Sequence, residues 1–101
     1  MARIKGNIVP PQMGIDDFQK SLALGRWMME YRVFKNDSII SKGVFKTSLE
    51  GFYDISVEAQ NNATLTLRCL GGLSYYSVEL SMPVSSPDAT VYCPTIHMET
   101  K

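Results

Sequence analysis

Two cysteines, Cys69 and Cys93, and one histidine, His97, are the residues whose types offer nucleophilic, redox or metal chemistry. Cys93 and His97 are four apart, a spacing that admits a thiol nucleophile with an imidazole base only if both side chains fall on the same side of the chain. Pro94 stands between them and breaks strand parity, and no third residue is placed to orient the histidine. Two cysteines and one histidine, with no close ligand pair, fall short of the four donors of a structural zinc site. Cys69 and Cys93 fall on inward-facing positions of separate strands. A bridge between them would close a loop of roughly 25 residues and contribute about 3 kcal/mol in an oxidising compartment. Two reduced thiols packed as small hydrophobes is the simpler reading. The sequence carries no phosphate loop, dinucleotide fingerprint or metalloprotease motif. The expectation is a chain that is not an enzyme and that uses no cofactor or metal.

These residues are carried by segments of period two. Arg26 to Lys35 alternates Trp27, Met29, Tyr31 and Val33 against Arg26, Glu30 and Arg32, the pattern of a strand with one buried and one wet face. Trp27 reads as a core plug, since its whole strand face is apolar. Ala63 to Leu70 sets Leu65, Leu67 and Cys69 against Thr64, Thr66 and Arg68. Ser74 to Met82 is read with Tyr76, Val78, Leu80 and Met82 inward and Tyr75, Ser77, Glu79 and Ser81 outward, joined to the previous strand as a hairpin by Gly71-Gly72. Asn36-Asp37-Ser38 and Gln60-Asn61-Asn62 are turns. Arg3 to Val9 is a strand that Pro10-Pro11 terminates, and is expected at a sheet edge. Ala89 to Met98 is a last strand that Pro94 confines to an edge or a bulge. Gln12 to Gly25 is either a short helix near 15–24, with Ile15, Phe18 and Leu22 on one face, or a long loop. About seven short strands at intervals near ten residues point to an all-β, antiparallel β-sandwich, immunoglobulin-like in its strand count, in a single domain over 1–101.

The stretch from Gly43 to Glu58 reads as a β-hairpin whose loop closes at Gly51, with Tyr53, Ile55 and Val57 inward after the corner. Thr47 and Gly51 four apart, an aromatic at Tyr53 and an aliphatic at Ile55 resemble the signature of transthyretin-like and carboxypeptidase-regulatory-like domains. Ser48 stands where that family usually carries Asp, and either side chain hydrogen-bonds turn backbone. The resemblance implies a β-sandwich. The family's hydroxyisourate-hydrolysing members carry several histidines and a Tyr-Arg-Gly-Ser end, whereas this chain has His97 alone and ends His-Met-Glu-Thr-Lys, which implies a non-enzymatic member. Similar domains are appended to or built into secretion and phage-like particles, so the resemblance implies a structural subunit or appended domain of a larger complex.

Composition agrees with a binding role. At 101 residues, 45% hydrophobic and 20% charged, the chain has enough apolar content for one core. Lys plus Arg and Asp plus Glu both count 10, which argues against nucleic acid as the main partner and favours self-association. No apolar run is long enough for a membrane helix, and no signal peptide follows the N-terminal basic residues, so a cytoplasmic setting or incorporation in a larger particle is expected, and an extracellular one if the chain is a mature fragment. The sequons at Asn36 and Asn62 would matter only there. The candidate interface is the set of apolar side chains on wet faces: Met28, Phe34, Phe52, Tyr75 and Tyr92, with Ile15 and Phe18 from the 12–25 insertion. The expected partner is another protein or a second copy. The alternative is a small ligand or carbohydrate stacked on Phe52, Tyr75 and Tyr92.

Overall fold

Among the described residues, alternation along the chain resolves into eight strands: β1 (Ala2–Val9), β2 (Met28–Lys35), β3 (Ser38–Lys46), β4 (Phe52–Val57), β5 (Ala63–Leu70), β6 (Val78–Val84), β7 (Thr90–Tyr92) and β8 (Ile96–His97). They are seen in a computed structural model that describes residues 1–10 and 26–101. The expected helix or loop at Gln12 to Gly25, with Ile15 and Phe18, lies outside the described residues. Among those described there is no helix, and so none long and apolar enough to cross a membrane.

The strands form two sheets that pack as a β-sandwich. One has the order β4-β1-β7, with β8 also paired to β1; the other has the order β3-β2-β5-β6. Inward residues of both meet in one core. Ile4, Ile8, Tyr53, Val57 and Ile96 come from the first sheet, and Met29, Val33, Leu65, Leu67, Cys69 and Val84 from the second. Trp27 packs against this core as expected, its ring edge-on to Tyr75 with centroids 5.1 Å apart. An aromatic pair of that geometry adds about 1 kcal/mol to the area it buries.

Asn36 and Asp37, with φ of 50° and 64°, make the two-residue turn between β2 and β3 that pairs Lys35 with Ser38. Both central residues take positive φ, which matches the right-handed twist of the flanking strands. β5 and β6 pair antiparallel from Ala63↔Val84 to Cys69↔Val78, the second hairpin the sequence indicates.

Three expectations are corrected. The Gly43–Glu58 stretch is not a hairpin: β3 pairs with β2 and β4 pairs with β1, so the Thr47–Gly51 corner carries the chain from one sheet to the other. β1 is not an edge strand, because β4 flanks one side of it and the parallel strands β7 and β8 the other. Pro10 follows the last residue of β1 and limits its length without fixing what lies beside it. Tyr75 and Tyr76 exchange roles. Residues 71–77 are a loop rather than the start of β6, and Tyr75 bridges back to Thr100. The strand parity of β6 therefore does not extend to them, and Tyr75 is 8% exposed while Tyr76 is 55% exposed.

The corner takes up Thr47, Ser48 and Gly51. Thr47 is buried; its hydroxyl accepts from the Trp27 amide at 3.0 Å and donates to the Ser48 carbonyl at 3.0 Å, while its own amide donates to the Trp27 carbonyl. The Ser48 hydroxyl oxygen accepts from the Phe52 amide at 3.1 Å. Gly51 has φ of 88° and lies against the Ile8 backbone, donating to the Ser48 carbonyl and accepting from the Ile8 amide at 2.8 Å. No L side chain fits there, because a Cβ would overlap the Ile8 carbonyl oxygen.

Candidate functional site

Cys93 and His97 stand in different surroundings. Cys93 is half-buried and packs against the core beside Tyr53, whereas His97 is exposed on β8, paired with Val9. Both cysteines are free. Burial pushes the Cys69 thiol up to about 11, and burial also raises that of Cys93, with the neighbouring Tyr53 hydroxyl partly opposing the rise. A thiol held protonated is a poor nucleophile and a poor metal ligand. Burial likewise drives the Tyr53 hydroxyl well above the ordinary phenol range, with the Cys93 thiol adding to the effect. Among the described residues that hydroxyl has no partner in hydrogen-bond geometry. Among the described residues no three His, Cys, Asp or Glu side chains converge on one point.

The wet aromatics are brought together in part. Even-numbered positions of β4 and odd-numbered positions of β1 share the outer face of the first sheet, where Phe52 lies across from Asn7 and Asp54 from Lys5. On the other side of β1, Tyr92 lies across from Lys5. Phe52 and Tyr92 thus flank β1 on one face, one step out of register, with Cα atoms about 12 Å apart from the strand spacing and rise. They are 61% and 76% exposed. Between them the surface is polar: Asp54 takes Arg3 at 2.6 Å and Lys5 at 3.9 Å, and Thr95 donates to the Asn7 side-chain oxygen at 2.8 Å. Exposed ion pairs of this kind contribute little to stability and leave the charges available to a partner.

Beside Tyr92, the ends of the two sheets bound a groove of about 550 Å³ whose lining includes Met82, Pro83, Ala89, Val91, Tyr92 and Pro94. β6 and β7 are the terminal strands of their sheets on this side. Pro83 within β6 and Pro94 just after the three-residue β7 remove amide donors, so these edges offer little continuous ladder to an added strand.

Met28 and Phe34 lie elsewhere. Both are half-buried on the outer face of the second sheet, on the far side of the sandwich from Phe52 and Tyr92, and six residues of β2 separate them by about 20 Å. Tyr75, expected with them, is in the core. Further exposed apolar residues are Ile39, Val44, Leu49 and Leu73, together with Tyr76, whose inward expectation is corrected above. Val44 is legible as the outward neighbour of Phe45. Ile39 is not, because a bulge opposite Val33/Phe34 shifts the parity of β3 between Ile39 and Ser41.

No protein-family model matches the chain, and no curated protein matches it.

Proposed function

We propose that this β-sandwich is a non-enzymatic protein-interaction module, a subunit or appended domain of a larger assembly. The observation that carries the reading is the pair Phe52 and Tyr92, two large aromatics exposed on one face around the Arg3, Lys5 and Asp54 cluster. Aromatic side chains beside a polar, hydrogen-bonding surround are the composition of interface anchors, giving contact area at low entropic cost. The adjoining groove at Met82, Val91 and Tyr92 enlarges the surface a partner would cover. The transthyretin-like resemblance of the corner is compatible with this reading; its residues are taken up by turn closure and packing.

The test is copurification of the tagged chain from its source, beside the variant Phe52→Ser/Tyr92→Ser. The expected result is one or more partner chains retained by the original protein and lost by the variant at unchanged thermal stability. A glycan-binding reading retains only two of its three stacking residues, since Tyr75 is buried. An identical set of retained chains for both proteins, or none with either, counts against the interaction surface.

A further inference from the structure

The outward residues of β2 read, in order, Met28, Glu30, Arg32 and Phe34: apolar, acidic, basic, apolar. Such a row is complementary to itself when reversed. A two-fold axis lying across the strands between Glu30 and Arg32 sets Met28 against Phe34 of a second copy and Glu30 against its Arg32, each contact made twice. We propose that the outer face of the β3-β2-β5-β6 sheet is a homodimer interface, two copies packing face to face with their β2 strands reversed. This rests on the reading of the chain as an assembly module and names a second copy as one partner.

Two further observations point the same way. Arg32 lies directly across from Lys42 on β3, both exposed, and among the described residues neither makes an ion pair. Like charges in direct cross-strand register destabilise a sheet. In the dimer each such pair receives Glu30 of the other copy. The same operation sets no two like charges directly opposite one another elsewhere in these rows, because Val44 meets Lys42, Arg68 meets Thr66 and Glu79 meets Ser81 of the other copy. Face-to-face sheets pack about 10 Å apart with strands near parallel or antiparallel, which these rows allow. Four strands and seven residues give a footprint of about 19 by 23 Å, small for an obligate interface, so the dimer is reversible and salt-sensitive.

Sedimentation velocity across a concentration series, with the variants Glu30→Arg and Arg32→Glu, tests it. The original protein shifts from monomer to dimer with concentration, and less so in high salt. Each variant alone loses at least tenfold in association, since it sets like charges face to face. An equimolar mixture of the two regains it, because the first presents two arginines to the two glutamates of the second. Met28→Cys/Phe34→Cys provides a check that does not depend on the charge changes: with a bis-maleimide reagent whose reach matches the sheet separation it forms covalent dimers, its two introduced thiols lying about 20 Å apart within one chain, beyond that reach. An original protein that stays monomeric, or a folded mixture that stays monomeric while the original dimerises, overturns the inference, as does absence of the covalent dimer. Such a failure leaves the Phe52 and Tyr92 surface standing, which loss or retention of its partner decides.

Discussion

Gly6 lies directly across from Tyr53 in the β1–β4 register, and the phenol ring of Tyr53 fills the space that a side chain on Gly6 would occupy. A Cβ at Gly6 would overlap the Tyr53 hydroxyl and come within 2.6 Å of Cζ. The same device recurs in the other sheet, where Gly43 pairs with Tyr31 and a Cβ would sit 2.7 Å from Cε1. Phe45 links the two tyrosines, with ring centroids 6.4 Å from Tyr31 and 5.7 Å from Tyr53. Gly6→Ala is therefore expected to cost about 2 kcal/mol or more by overpacking. Tyr53→Phe, which removes a buried hydroxyl without a partner, is expected to be neutral or stabilising. Denaturant melts of the two variants check both signs.

Gly51 and Gly72 both have positive φ and differ in their surroundings. A Cβ at Gly51 would collide with the Ile8 backbone, which the β1 ladder holds in place, whereas nothing lies within 4 Å of one at Gly72. Gly72→Ala is expected to cost about 1 kcal/mol, the conformational penalty alone. Gly51→Ala should cost at least about 3 kcal/mol, or prevent folding, since strain and collision add. Equal costs in urea melts would contradict the role given to the corner.

Adjacent tyrosines give a third comparison. Tyr75→Ala removes a buried ring packed edge-to-face with Trp27 and is expected to cost about 3 kcal/mol or more, while Tyr76→Ala should stay within about half a kcal/mol. Tryptophan fluorescence, reporting on Trp27, should respond to the first substitution and not to the second.

The pH dependence follows from the buried thiols and phenol. Cys69 rises from an ordinary value of 9.0 to about 11, so the folded state holds this proton more tightly than the unfolded chain. Its contribution is complete below about pH 9 and is lost as pH rises toward 11, and Cys93 and Tyr53, also raised, act in the same direction. The melting temperature should fall between pH 8.5 and 10.5. Cys69→Ala should lower stability at neutral pH and flatten that fall, which a series of thermal melts measures.

How much of this was legible in the sequence depends on what side-chain period encodes. It reports which face of a strand is wet, so the inward positions of β2, β5 and β6 were readable from Met29, Leu65 and Met82 and their neighbours. It does not report lateral neighbours. Nothing local distinguishes a Thr47–Gly51 corner that closes a hairpin from one that changes sheet, or places β1 between β4 and β7. Parity also fails where the chain leaves the ladder, which is why Tyr75 and Tyr76 were exchanged. The Phe52 and Tyr92 face was half legible: both residues showed outward parity, but their meeting around Lys5 depends on the parallel pairing of β1 with β7, a contact between the two ends of the chain.

The central claim is that the Phe52 and Tyr92 face binds another protein, and site-specific photocrosslinking tests it most directly. A benzophenone side chain would be placed singly at Phe52, at Tyr92 and at the exposed control position Leu73, in the protein within its native source. The account predicts adducts to the same partner chain from positions 52 and 92 and none to it from position 73. Adducts of equal yield to that chain from all three positions, or none from positions 52 and 92, would contradict it.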